Sequence, residues 1–86
     1  MIEIEIPVDS NFAVAVQLAL FDEMQFRSHY DEVSYTEAFD NAVDRVTQDR
    51  FGRLPTKFTV WGERVTHLTI PFDDPREAFH FRLKHG

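Results

Sequence analysis

The sequence predicts an α+β fold: a three-stranded antiparallel sheet with two to three helices packed on one face, in the order β-α-α-β-β-α. Three observations lead to it. Alternating Ile and Glu at the start predict a strand, apolar residues three and four apart after Ser34 predict a helix, and β-branched segments around Gly62-Glu63 predict a hairpin. Because the 86 residues contain no linker or repeat, we expect one domain, 1–86.

The first strand is predicted over residues 2–7, where three isoleucines alternate with two glutamates. A period of two puts the isoleucines on one face of a strand and the glutamates on the other. Pro7 ends this pattern, and Asp9 or Ser10 can then accept a hydrogen bond from the first free amides of a helix.

The segment over residues 12–21 (FAVAVQLALF) fits two structures. Its alternating larger apolar residues permit a strand paired with the first one. Its alanines, together with an apolar pattern that continues through Met24 and Phe26, favour a helix, because Ala, Leu and Gln are good helix formers and strands are seldom so long. Residues 27–33 are then predicted to be a polar loop.

A second helix is predicted from a capping box, Ser34-Tyr35-Thr36-Glu37, in which Ser34 and Glu37 bond each other's backbone amides. The apolar residues that follow at three- and four-residue spacing are Tyr35, Ala38, Phe39, Ala42, Val43 and Val46. Gly52 is placed to end the helix just after Phe51, since glycine tolerates the left-handed conformation that terminates helices.

The hairpin prediction leaves the position of Trp61 open. Pairing Val60 with Val65 turns Trp61 toward Leu68, whereas a one-residue shift turns Trp61 outward, where it is a candidate interface anchor. Of the two, a packed tryptophan is the commoner arrangement, so packing is favoured.

The last helix is predicted from Asp74 as its cap, Pro75 at its first position and Glu77 completing a capping box. Ala78, Phe79 and Leu83 are expected to face inward.

Charge is divided unevenly along the chain. Residues 1–44 hold ten carboxylates and one base, a net −9, while residues 45–86 hold five carboxylates and eight bases, a net +3. The overall −6 and the two lysines argue against direct nucleic-acid binding, which needs clustered bases. The N-terminus lacks the basic region of a signal peptide, so we expect a cytoplasmic protein with no membrane association.

Catalytic chemistry has little support in the sequence. There is no cysteine, the three glycines are too dispersed for a phosphate-binding loop, and the four histidines lack metal-ligand spacing. We therefore predict no cofactor, no metal site and no enzyme activity. A small enzyme that binds a metal or ligand through its histidines remains an alternative function, ranked below the two hypotheses given at the end of this section.

The second helix carries an acidic ridge, which we define as Glu37, Asp40 and Asp44. Their spacing of three and four residues places them on one face, about 4.5 and 6 Å apart along the axis, a scale comparable with the charge spacing of a nucleic-acid backbone. Asp31, Glu32, Asp22 and Glu23 are predicted to extend it. Any amphipathic helix also needs a polar outer face, so a purely solvating role is the simpler interpretation.

Residues 70–84 (IPFDDPREAFHFRLK) combine the end of a strand, an acidic-proline cap and a brief F-K-L-like helix. This segment resembles the tails of short accessory proteins encoded by bacteriophages. The resemblance implies a small protein without catalytic machinery that binds a host protein, commonly to block it.

The leading hypothesis is therefore a non-enzymatic protein-binding module. Its acidic helical surface would bind a basic patch, in the manner of a phage-type inhibitor or a nucleic-acid mimic. The predicted partner-binding residues are Glu37, Asp40, Asp44, Asp31, Glu32 and Trp61. The second alternative is an assembly subunit that forms a homo-oligomer, such as a homodimer, through exposed apolar surface.

Overall fold

The structure is a computed structural model, and it describes residues 1–27, 35–62 and 64–85. Its elements follow the predicted order β-α-α-β-β-α and confirm the predicted α+β fold. They are β1 (Ile2–Pro7), α1 (Ser10–Arg27), α2 (Tyr35–Phe51), β2 (Lys57–Trp61), β3 (Arg64–Phe72) and α3 (Pro75–His85). In the described part of the chain, no helix is both long and apolar enough to cross a membrane.

The sheet is antiparallel with the strand order β1-β3-β2, so the long β3 lies in the centre. Ile4 pairs with Ile70 and Ile6 pairs with Leu68, which places apolar side chains from both strands on one face. The helices cover that face. The buried core joins Ile6, Leu68, Ile70 and Phe72 of the sheet to Phe12, Val16, Leu20, Phe39, Val43, Val46 and Ala78 of the helices.

The ambiguous segment over residues 12–21 is helical, as its alanines favoured. Asp9 caps α1, because its Oδ1 accepts a hydrogen bond from the Phe12 amide at 2.9 Å. The helix includes Arg27, the first residue of the predicted polar loop, and the remaining residues of that prediction, 28–33, lie outside the described residues.

The boundaries of α2 agree with the prediction. The helix begins at Tyr35, although Ser34 and its capping bond lie outside the described residues. It ends at Phe51, after which Gly52 adopts a φ of 73° and donates its amide to the Gln48 carbonyl at 2.9 Å.

The hairpin turns Trp61 outward, although a packed position was favoured from the sequence. Val60 pairs with Val65, but Thr59 pairs with His67, so a β-bulge leaves Thr66 as an extra residue. The pairing of Val60 with Val65 belongs to the first predicted register, whereas the outward position of Trp61 belongs to the shifted one. Both occur because the bulge changes the register within the hairpin. Trp61 is 83% exposed, and the prediction of a packed tryptophan is wrong.

The inward face of α3 also differs from the prediction. Ala78 is buried as expected, but Phe79 and Leu83 are 61% and 69% exposed. Phe81 packs inward instead, with ring centroids 5.0 Å from Phe72 and 5.6 Å from Phe51.

Asp74 caps the start of α3 as predicted, but through the Arg76 amide rather than the Glu77 amide of a capping box. The Asp74 carboxylate accepts from the Arg76 amide at 2.9 Å. Glu77 bonds Arg53 at 2.7 Å rather than reaching back to the cap. The Glu77 carboxylate therefore accepts a charge-assisted hydrogen bond from the Arg53 guanidinium instead of the predicted bond from the Asp74 amide.

Candidate protein-binding surface

The acidic ridge lies on the face of α2 that is turned away from the core. Glu37 and Asp40 are exposed and Asp44 is half-buried, while Phe39, Ala42, Val43 and Val46 on the opposite face are buried. The spacing that predicted a shared face therefore holds for these three carboxylates. Asp31 and Glu32, which were predicted to extend the ridge, lie outside the described residues.

Two carboxylates of the ridge are close enough to affect each other. Burial raises the pKa of the Asp44 carboxyl, and the negative charge of Asp40 raises it further. Neither side chain forms an ion pair with any residue that the structure describes; the ion pairs given there join Arg50 to Asp9 and Arg53 to Glu77. Asp40 and Asp44 thus hold negative charge that is not neutralised by a described cation.

An apolar groove adjoins the ridge between α2 and β2. Its volume is about 320 Å³, and its lining is Tyr35, Thr36, Phe39, Asp40, Phe58, Val60 and Gly62. The Phe39 ring lies between two others, with centroids 6.1 Å from Tyr35 and 5.8 Å from Phe58. Asp40 belongs to both features, since it is a ridge carboxylate and also lines the groove.

Trp61 lies beside this groove but points away from it. The groove is lined by Val60 and Gly62, and successive side chains of a strand point to opposite faces. The indole is therefore on the helix-free face of the sheet, at the end of the hairpin, where Trp61 pairs with Arg64. The structure places Asp40 in the lining of the groove and Asp44 one helical turn further along α2, and it leaves Trp61 on a separate surface.

Asp22 and Glu23 do not continue the ridge. Asp22 lines a different groove of about 580 Å³ between α1 and α2, together with Arg45 and Asp49. Glu23 is half-buried on α1. The surface between the two helices therefore has mixed charge.

The described histidines are dispersed. His67 lies on β3 with its Nδ1 3.0 Å from the Thr66 hydroxyl, and His85 packs its ring 4.6 Å from Phe81. Burial, followed by the nearby Lys84 charge, lowers the pKa of His85. Among the described residues, no group of three His, Asp or Glu side chains is placed to hold a metal ion.

Sequence reasoning missed the groove. Tyr35 and Phe39 share a helix face at four-residue spacing, which was interpreted only as core. Their contact with Phe58 depends on how α2 lies over β2, and no local pattern carries that information. No protein-family model, curated protein or solved structure matches the chain.

Proposed function

We propose that this protein is a non-enzymatic protein-binding module whose acidic ridge and adjoining groove bind a basic segment of a partner protein. The observation that carries the proposal is the position of Asp40. Asp40 lines an apolar, aromatic groove and, like Asp44 one helical turn away, forms no ion pair with a described residue, so one partner segment can contact these carboxylates and the groove together. An aromatic anchor surrounded by charge is a common arrangement at protein interfaces.

The electrostatics of the ridge favour a cationic partner. Asp40 and Asp44 are four residues apart on a helix, where like charges repel and destabilise it. A Lys or Arg of the partner placed between them would relieve that repulsion and lower the raised pKa of Asp44. Binding would therefore be strongest at pH values where both carboxyls are ionised, and it would weaken as the pH falls toward the pKa of Asp44.

The groove supplies the apolar part of the proposed contact. Tyr35 is 52% exposed and Val60 is 40% exposed, so both have surface that a partner can cover. Burying it would add affinity that salt does not screen. The partner segment we propose therefore carries basic residues next to an apolar side chain that enters the groove.

The class of partner that best fits the acidic ridge is a protein with a basic, nucleic-acid-binding surface. The carboxylates of the ridge are spaced on the scale of phosphates along a nucleic-acid backbone, so Lys and Arg side chains arranged to contact phosphates can also contact the ridge. The likeness of residues 70–84 to the tails of bacteriophage accessory proteins supports the same role, that of a small protein that occupies a host protein's site.

The test compares two variants with the same net charge. Asp40→Lys with Asp44→Lys reverses the ridge, and Glu5→Lys with Asp73→Lys makes the same charge change at exposed positions on β1 and before α3. Each serves as bait for affinity capture from source cells beside the natural protein. Partners retained by the natural protein and the control but lost by the ridge variant support the proposal.

The captured partner then allows a quantitative experiment. Its affinity should fall as salt rises, because the Debye length shrinks from about 8 Å at physiological ionic strength to about 3 Å at 1 M. Duplex DNA should compete if the ridge occupies a nucleic-acid site. Tyr35→Ala should weaken binding without changing its salt dependence. Equal, salt-independent affinity for the ridge variant and the control would reject the proposal.

A further inference from the structure

Helix α1 is apolar on two faces. One face enters the core through Phe12, Val16 and Leu20. The other carries an α1 stripe, which we define as Val14, Leu18, Phe21 and Met24; their exposed fractions are 58%, 65%, 61% and 47%. Spacings of four, three and three residues place the stripe along one side of the helix, roughly opposite the core residues. No described element covers these side chains.

The charges around the α1 stripe limit what can bind it. In the sequence of α1 the only charged residues are Asp22, Glu23 and Arg27, all near its C-terminal end. Leu18 also lines the α1/α2 groove with Arg45, Asp49 and Arg50, whose charges are of both signs, so a peptide charged with a single sign finds no row of complementary groups along the α1 stripe. Helices that lie on membranes carry rows of Lys and Arg beside their apolar face, and α1 lacks such a row. The chemistry that complements this strip is another uncharged apolar strip.

We infer that the α1 stripe is an interface between two copies of this chain. In a two-fold dimer the same surface meets itself, so the surface must be self-complementary in shape and charge. Leu18 and Phe21 lie at the middle of the 18-residue helix, and an axis passing near them overlays the two stripes along most of their length. For a chain of net charge −6, a face without a row of charges is the surface where two copies meet with least repulsion.

The α1 stripe and the acidic ridge lie on different surfaces of the protein. Of the α1 stripe, Leu18 lines the groove next to α2 together with Ala15, Ala19 and Asp22, while Phe21 and Met24 lie on the opposite flank of α1 at 100° per residue. The ridge is on the outer face of α2 beside β2. The groove that Leu18 lines and the groove that Asp40 lines share no residue, so a dimer through the α1 stripe leaves Asp40 accessible, and the test of the dimer is independent of the proposed function.

The size of the strip sets the expected strength of the dimer. A helix of this length is about 27 Å long and about 10–12 Å wide with its side chains. Its projected face of about 300 Å² is smaller than the roughly 800 Å² per partner of standard interfaces. We therefore expect a dimer that dissociates in the micromolar range rather than a permanent one.

Sedimentation velocity of the full chain, from about 1 to about 500 μM, tests the inference. The natural protein should show a concentration-dependent monomer–dimer equilibrium that does not weaken at high salt. Leu18→Gln with Phe21→Gln should raise the dissociation constant at least about tenfold, the loss expected from central interface side chains. The matched control is Phe79→Gln with Leu83→Gln, an equally exposed pair on α3 that should leave the dimer unchanged.

A second measurement traps associated copies covalently, so that a weak dimer accumulates and can be detected. Because the chain has no cysteine, Leu18→Cys introduces a single thiol near the proposed axis. Mild oxidation should give a disulfide-linked dimer, whereas Leu83→Cys on α3 should not. A chain that remains monomeric at the highest concentration, or a dimer equally sensitive to the α1 and α3 variants, would overturn the inference.

Discussion

Phe81 and Phe79 provide a matched test of how α3 packs. Both are phenylalanines on the same helix, but Phe81 is half-buried against Phe51 and Phe72, while Phe79 is 61% exposed. Phe→Ala in a core costs about 3–5 kcal/mol, so a half-buried ring should cost about 2 kcal/mol. Replacing the exposed Phe79 should change the free energy of unfolding by no more than about 0.5 kcal/mol.

Thermal unfolding followed by circular dichroism measures this difference. In a domain of this size, each kcal/mol shifts the melting temperature by about 4–8 °C, so Phe81→Ala should lower it by about 8–16 °C. Alanine has a higher helix propensity than phenylalanine, but that gain applies to both variants and cancels in the comparison. If Phe79→Ala lowers the melting temperature as much as Phe81→Ala, the inward face of α3 has been assigned incorrectly.

Three further outcomes follow from single residues. Asp9→Ala should cost about 0.5–2 kcal/mol of unfolding free energy, because the Phe12 amide loses its cap; an unchanged denaturant midpoint would contradict this. Trp61, the only tryptophan, should fluoresce like a solvent-exposed indole and be quenched by acrylamide equally in the folded and unfolded states; a blue-shifted, protected emission would show burial. Because burial and Lys84 lower the pKa of His85 below its ordinary 6.5, protonation favours the unfolded state. Stability should therefore fall as the pH drops through about 6.5, and His85→Gln should remove that part of the slope; an identical slope in the variant would contradict the assignment.

Local chemistry predicted the boundaries of the elements well. Asp9 and Gly52 act within a few residues of their own positions, one accepting an amide bond and the other adopting a positive φ, so a linear pattern is sufficient to identify them. The helical state of residues 12–21 also followed from composition, because an apolar segment that runs on to Met24 is too long for a strand of ordinary length.

Features that depend on packing between distant elements were not predicted. Apolar residues at 78, 79, 81 and 83 offer α3 two overlapping stripes, and only the positions of Phe51 and Phe72 select Phe81 for the interior. The exposure of Trp61 likewise depends on a bulge at Thr66 that has no signature in the segment itself. The α2/β2 groove joins Phe39 to Phe58, a contact between elements far apart in the chain.

The acidic ridge destabilises the helix that carries it. Asp40 and Asp44 repel each other at four-residue spacing, and partial burial adds to the cost of ionising Asp44. A lysine at either position would convert the repulsion into a favourable pair, and a neutral glutamine would remove it, with no change to the buried face of α2. Sequences tend to agree with their folds at every level except where function requires otherwise. A stability cost that is so easily avoided, placed on the lip of an apolar groove, is therefore the feature that most favours a binding role for α2 over a merely solvating one.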